Sequence, residues 1–175
     1  TALVHLQWGN HEVGTLQPVR QIAAAAAEHG AISHSDAVQA VGHIEVDFAA
    51  SGLDMLSFTA HKLGGPYGIG ALVARRELRL APILHGGGQE REIRSGTLDV
   101  AATAGFAAAL EVAARTRAHE EQRVRQLRAN LISSVLAAVP PAVLYGPTSD
   151  HDGLPGVANI GFPGCLADAI LMLLD

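Results

Sequence analysis

Five polar residues close two short apolar runs: Asp36 and Gln39 follow the first, and Thr59, His61 and Lys62 follow the second. The second run, from Asp54 to Gly70, opens with Met55, Leu56 and Phe58, the pattern of a short buried strand, and closes in a glycine-rich turn. Polar side chains at the end of such a strand are where open α/β sheets hold their ligands. A lysine there, among apolar neighbours, loses its proton cheaply, because burial disfavours the ammonium form. A neutral lysine forms a Schiff base with an aldehyde. The plain alternative is a surface lysine after a strand.

The elements that must position these residues follow in order. Residues 2–8 read as a strand and 9–14 as the loop leaving it. Pro18 begins a helix, where its missing N–H does no harm, and Gly30 ends it. Ala31–Asp36 reads as a second strand ending on an acid, Met55–Phe58 as a third and Ile69–Ala74 as a fourth. Strand, helix, strand, then strands at short spacing predict an α/β layer with a largely parallel sheet.

Residues 85–97, with three successive glycines and then charges, read as a loop shaped for a ligand or partner, or as a linker. Thr97 or Asp99 then caps a long helical region. Its apolar stripe is expected at Phe106, Leu110, Ala113, Val124, Leu127, Leu131 and Val135. Arg115, Arg117, Glu120, Glu121, Arg123, Arg125 and Arg128 are expected to form its solvated face. Pro140-Pro141 stops the helix. Val143–Tyr145 and Val157–Phe162 read as strands of a smaller unit, with a helix over 166–175. The expected division is 1–98, a connecting helical region 99–139, and 140–175. Both ends fall inside apparent elements, which suggests a piece of a longer protein.

Composition narrows the function. The chain has 175 residues, 49% hydrophobic and 17% charged, which is a globular balance. A net charge of −5 gives no electrostatic footprint for nucleic acid. No apolar run is long enough to cross a bilayer, and the start lacks a signal-peptide pattern. A single cysteine, Cys165, rules out an internal disulfide and suits a reducing cytoplasmic setting. Nine histidines raise a metal-binding module as a rival, but none pairs with another at ligand spacing on an expected helix.

If Lys62 is a Schiff-base lysine, pyridoxal phosphate sets further demands. Its pyridine nitrogen must stay protonated, which needs a carboxylate, and Asp36 is placed for that. Its phenolic oxygen needs a donor, which Gln39 can supply, and its phosphate needs donors such as Thr59 and His61. Each has a plain counterpart: Asp36 as a cap, Gln39 as a turn residue, His61 as a core histidine. Jointly, an acid at one strand end and Thr-x-His-Lys at the next favour the cofactor.

At this point four motifs agree in order: His34-Ser-Asp36-Ala-Val-Gln39, Ser57-Phe-Thr59-Ala-His61-Lys62, Gly68-Ile-Gly70, and His85-Gly-Gly-Gly-Gln-Glu-Arg91 with Arg94-Ser-Gly-Thr97. Together they resemble cysteine desulfurases, in the class V aminotransferase group of pyridoxal phosphate enzymes. The resemblance runs from Asn10-His-Glu-Val-Gly14 to Phe162-Pro-Gly164. The lysine motif alone fits many pyridoxal enzymes, whereas Arg94–Thr97 behind a triple glycine favours the desulfurase branch.

The resemblance implies part of a fold-type I large domain and part of a small α+β C-terminal domain. It implies that Lys62 carries the cofactor and moves protons, Asp36 pairs with the pyridinium nitrogen, and Gln39 bonds the phenolate. It implies that Thr59 and His61 bind the phosphate, and that Thr97 reaches the phosphate of the other subunit in a homodimer. The implied reaction takes L-cysteine to L-alanine and passes sulfur as a persulfide to an acceptor or scaffold protein, for iron–sulfur clusters or tRNA thiolation.

Two departures stand out. His11 occupies a position where many relatives have an asparagine that touches the cofactor, and its charge state would vary with pH. The sulfur-accepting cysteine and the arginine that grips the substrate carboxylate lie beyond the matched stretch. Cys165 is therefore read as a packing residue, not as that nucleophile. The 175 residues alone are expected to be inactive as a desulfurase. Another class V aminotransferase, a selenocysteine lyase, or an inactive remnant are the alternatives.

Overall fold

The computed structural model describes residues 1–174, with the side chain of Asp150 left out of the description. A four-stranded sheet is formed by β1 (Leu3–Gln7), β2 (Ile32–Asp36), β3 (Met55–Thr59) and β4 (Gly70–Ala74), in that spatial order. The first three strands are parallel and β4 is antiparallel to β3, so the sheet is largely parallel as expected.

Parallel neighbours need crossovers. The first is α1 (Val19–Glu28), which starts behind Pro18 and ends at His29 and Gly30. The second is the stretch 37–54, which includes the one-turn helix α2 (Phe48–Ser51). Asp47 caps α2 by accepting from Ala50 N at 2.9 Å. Sequence periodicity does not reveal a helix this short.

Strand pairing sorts the side chains into two faces. Ser33, Ser35 and Leu56 are buried on the side where α1 lays Val19 and Ala23; Ala37, Ala40, Val41, Ile44 and Leu53 complete that core. On the other face, register aligns Leu3 with Ile32, His5 with His34 and Met55, and Gln7 with Asp36, Ser57 and Leu72.

Beyond the 85–98 loop runs α3 (Val100–Ala138), whose first turn is capped by Asp99 accepting from Ala102 N at 2.9 Å. Strands β5 (Val143–Tyr145) and β6 (Asn159–Gly161) form an antiparallel pair, and α4 (Ala167–Leu174) follows. The expected helix over 166–175 thus appears as α4, and Asp175 lies outside the described residues.

The stripe expected on α3 needs correction. Leu110, Leu127 and Leu131 are 36%, 54% and 54% exposed, whereas Phe106 and Arg128 are each 7% exposed. The inward seam instead includes Phe106, Ala109, Ala113, Arg117, Glu121, Val124, Arg128 and Ile132. Arg117, Glu121, Arg125 and Arg128 are therefore not part of a solvated face. They face inward because polar partners meet them: one another, and the backbone carbonyls of residues 147–157.

Candidate active site

Parallel pairing brings the carboxyl ends of β1, β2 and β3 to one edge of the sheet. Gln7, Asp36 and Ser57 form one row across that edge. Thr59 follows Ser57 by two residues, which places it about 8 Å from Asp36 from strand spacing and rise alone.

Asp36 is half-buried. Its Oδ1 accepts from Val38 N at 2.9 Å, and its backbone carbonyl accepts from Trp8 N at 2.8 Å. The turn after β2 is further tied to β3 through Ala37 N to Ser57 O at 2.8 Å. A carboxylate accepts at two oxygens, so the bond from Val38 orients Asp36 without exhausting it. The cap-like role and the ligand role are compatible. Gln39 lies in the same turn, three residues on, and is half-buried.

Thr59 ends β3, and the chain then tightens into a 3₁₀ turn, Ala60–Leu63, that carries His61 and Lys62. Thr59 Oγ1 donates to Ile69 O at 3.0 Å and lies 3.0 Å from His61 Nδ1. A threonine hydroxyl has one proton, so His61 donates from Nδ1 and leaves Nε2 for an outside partner. His61 also stacks on Tyr67, with ring centroids 5.7 Å apart. His43 Nε2 donates to Lys62 O at 3.1 Å and pins the turn from β2's side.

Support from below comes from α3. Phe106 packs edge-on against Phe58 at 5.4 Å, and a Cβ on Gly65 would stand 3.1 Å from Ala109 Cβ. The glycine after the turn lets α3 approach this closely.

Lys62 itself is exposed. The apolar setting expected around it is not found among the described residues. The 3₁₀ turn lifts Lys62 off the end of the strand instead of leaving it inside the sheet.

His11 lies at the same edge, in the loop that leaves β1. Asn10 shapes this loop by accepting at Oδ1 from Glu12 N and Val13 N, both at 2.9 Å. His11 is exposed, 3.9 Å from Glu12. No hydrogen bond or ion pair joins it to Asp36, Thr59 or Lys62.

Thr97 stands apart, exposed in the 85–98 loop. That loop is held by Gln89 Oε1 accepting from Gly96 N at 2.9 Å and by Gly88 N donating to Ser95 Oγ at 3.2 Å. Cys165 is exposed, which corrects the packing role expected of it. The turn Phe162–Cys165, closed by Cys165 N to Phe162 O at 3.1 Å, ends before α4 and leaves the thiol outside any core.

One neighbour of the site escaped the sequence reading. His5 and His34 stack at 4.8 Å, with their Nδ1 atoms 2.7 Å apart, in the row next to Asp36. Burial, with help from His5, holds the His34 imidazole below its ordinary value, while Asp36 pulls it up. The pair shows only when parallel register aligns two residues 29 apart in sequence. A different signal was available in plain composition: Lys62 is the only lysine of the chain, all other strong bases being arginine.

Among the described residues no group of three or more histidines, cysteines and carboxylates is placed to hold a metal ion, and no helix is long and apolar enough to cross a membrane. The donor set at the edge does fit pyridoxal phosphate: one amine for an aldehyde, one oriented carboxylate for a ring nitrogen, and hydroxyl and imidazole donors for a phosphate.

Comparison with known proteins agrees with that chemistry. An "IscS-like cysteine desulfurase" of Mycobacterium tuberculosis is 48% identical over 99% of this chain and 44% of its own length. The "Cysteine desulfurase NifS" of Azotobacter vinelandii is 42% identical over 99% of this chain and 43% of its own length. A solved NifS-like protein superposes with a TM-score of 0.93 at 34% identity, covering 99% of this chain and 47% of that one. The NifS-like protein of Rickettsia africae gives 0.91 at 32% identity, over 97% of this chain and 46% of that one. The chain thus spans under half the length of these relatives. Residues 1–175 match the family model "Aminotransferase class-V" from end to end, and the chain belongs to that family.

Proposed function

We propose that this chain forms the lysine-bearing part of a pyridoxal phosphate-dependent cysteine desulfurase. The observation that carries the reading is the placement of Asp36, Thr59, His61 and the sole lysine, Lys62, on one edge of adjacent parallel strands. When bound, pyridoxal phosphate supplies an aldehyde and an electron-withdrawing ring that weaken bonds at the α-carbon of an amino acid.

The residues of the chain then have distinct tasks. Lys62 offers its amine to the aldehyde and moves protons at the substrate carbon. Asp36, oriented by Val38 N, keeps a proton on the ring nitrogen. Gln39 donates to the phenolic oxygen, and His11 is a second donor there. His61 donates to the phosphate from Nε2 when protonated. Thr59 joins it by exchanging its bond to Ile69 O for one to the anion. Thr97 serves the equivalent site of a second copy, which makes the working unit a homodimer. The substrate is L-cysteine, the product L-alanine, and the sulfur leaves as a persulfide for an acceptor or scaffold protein in the cytoplasm. The cofactor-binding unit is 1–98, linked through 99–139 to the smaller unit 140–175.

Reductive trapping tests the central claim. The chain is incubated with pyridoxal phosphate, reduced with borohydride, digested and mapped by mass spectrometry. Because Lys62 is the only lysine, the competing amine is the one at Thr1. A pyridoxyl group on Lys62, absent in Lys62→Ala, is the expected result. A folded chain labelled at Thr1 alone would overturn the assignment.

A further inference from the structure

The polar cluster in the middle of α3 takes no part in the chemistry above. Glu121 accepts from Arg117 Nη1 and from Arg125 Nη2, each at 2.8 Å, and so holds the Arg125 guanidinium in place. Arg125 Nη1 in turn donates to Gly153 O at 2.9 Å. Three residues further along, the buried Arg128 donates from Nε to Val157 O and from Nη2 to Pro147 O at 3.3 Å. Two guanidiniums therefore grip the segment 147–157 at its start, middle and end.

The other side of that segment rests on the loop after β1. Leu16 N donates to Asp152 O at 2.9 Å and Leu154 N to Gly14 O at 2.7 Å, with a bridge between Thr15 and Gly153. Leu154 is 2% exposed, and Asn159 Nδ2 donates to Glu12 O at 3.2 Å. Gly14 has φ of +80°, which strains any side chain, and a Cβ there would stand 3.0 Å from Val157 Cβ and press on it.

We propose that Arg125 and Arg128 are positioning residues for the loop 9–16, and through it for Asn10 and His11. Arginine stays charged when buried, and its desolvation is offset only where its fixed fork of donors finds acceptors in matching positions. The carbonyls of Pro147, Gly153 and Val157 supply those positions, so the segment has one preferred seat on α3. The loop with His11 is hydrogen-bonded to that seated segment, through Leu16 N to Asp152 O and Leu154 N to Gly14 O. Its link to cofactor binding rests on the function proposed above; the positioning itself does not.

Hydrogen exchange on the whole chain separates the two. Arg128→Met keeps the stem and removes the donors. The amides of Leu16 and Leu154 are expected to exchange roughly tenfold faster, while those of Ser33 and Asp54, in a network at the far end of the sheet, stay as they were. Arg128→Lys, which keeps the charge but offers its donors from a single nitrogen, should recover part of the protection. A role in filling space would instead leave Met as protective as Arg, and unchanged exchange at Leu16 and Leu154 would overturn the proposal. If Arg128→Met loosens Ser33 and Asp54 as well, Arg125→Gln decides, with a local rise of roughly threefold expected and no local rise refuting.

Quenching of the single tryptophan, Trp8, by added pyridoxal phosphate gives the second readout. Weaker quenching in Arg128→Met, with Lys62 still trapped at saturating cofactor, supports positioning of the His11 loop. A cofactor that binds the variant as tightly as the parent would overturn that step. A parent chain with neither quenching nor trapping would overturn the cofactor reading, and exchange at Leu16 and Leu154 would then decide the clamp alone.

Discussion

At the amino end of the sheet, Asp54 Oδ2 accepts from Ser33 N at 2.8 Å and Ser33 Oγ at 3.0 Å. Asp54 N points back to Ser33 Oγ at 3.2 Å. Arg75 closes this network with bonds to Leu53 O at 3.0 Å and Gly52 O at 3.2 Å, and lies 3.7 Å from Asp54 Oδ1. At the carboxyl end, an acid, a hydroxyl and a cation recur as Asp36, Thr59 and Lys62, but the bonding is sparse. Asp36 takes one bond from Val38 N, Thr59 gives one to Ile69 O and takes one from His61 within the same turn, and Lys62 is exposed. Reciprocated bonds fix a strand junction and leave little for a ligand. Groups without reciprocated bonds across strands keep capacity for a partner from outside, and this is the physical content of binding at the carboxyl edge of a parallel sheet.

The sharpest way to break this contrast is to remove one acid from each end. Asp54→Ala strips Ser33 N of its acceptor in a residue only 1% exposed. It should cost about 2–3 kcal/mol, because a buried donor is left unpaired and a charge-assisted bond is lost. For a chain of this size that lowers Tm by roughly 5–10 °C, measurable by circular dichroism. Lys62 should still be trapped by pyridoxal phosphate below that temperature. A variant that melts with the parent would mean the amino-end network is ornamental.

Asp36→Asn should do the reverse. The amide oxygen still accepts from Val38 N, so Tm should move little, while loss of the charge weakens pyridoxal phosphate binding by about tenfold, the low end for a charge-assisted bond. Trp8 quenching gives the affinity and the melt gives the stability. Equal effects of Asp36→Asn and Asp54→Ala on stability would erase the distinction between the two ends.

The 85–98 loop sharpens the comparison from outside the sheet. Among the described residues, the three non-glycine residues with left-handed backbone are consecutive: Glu90, Arg91 and Glu92, with φ of 48°, 59° and 65°. Side chains there crowd the backbone, and such strain gathers in functional segments rather than in bond-saturated junctions. Glu92→Gly should therefore raise stability by about 0.5–1 kcal/mol, since relief of the strain is partly offset by the freedom of glycine in the unfolded chain. The urea midpoint should rise with an unchanged slope. A fall in the midpoint would show that Glu92 makes interactions that outweigh its backbone.

Much of this was legible in the sequence, and the failures have physical causes. The four strands stand close to the residues expected, because short runs bounded by turn glycines and polar ends mark them, although β2 turns Ser33 and Ser35 inward where apolar residues would be usual. The Thr59-x-His61-Lys62 cluster was legible because a strand end is a local feature. The exposure of Lys62 was not, since the four-residue 3₁₀ turn that lifts it off the strand has no periodic signature. The seam of α3 was misread because apolar spacing was taken as the guide, while Arg117, Glu121 and Arg128 lie inward to meet each other and carbonyls up to 29 residues away. Arg117 meets the Glu121 carboxylate one turn on, whereas Arg128 donates to the backbone oxygens of Pro147 and Val157, which leave no trace in residue type. The pairing of His5 with His34 likewise exists only through register.

That pair carries the smallest expected effect, and it reads the free state of Asp36. His34 is held below its ordinary value of 6.5, first by burial and then by His5, with Asp36 opposing; Met55, aligned across β3, is uncharged. Below pH 6.5 the unfolded chain therefore binds more protons at this position than the folded chain does, so stability falls as pH drops through that window and is full above it. Melting temperatures taken between pH 7.5 and 5, above the range where most carboxylates titrate, give this slope as the difference between parent and variant. His34→Asn should flatten it, and His5→Asn should flatten it partly. Asp36→Asn should steepen it, because the one influence favouring the charged imidazole is gone. A slope that ignores Asp36 would mean its charge is already neutralised by another group in the chain. The contrast between a saturated and an available end of the sheet would then fail at the residue on which it most depends.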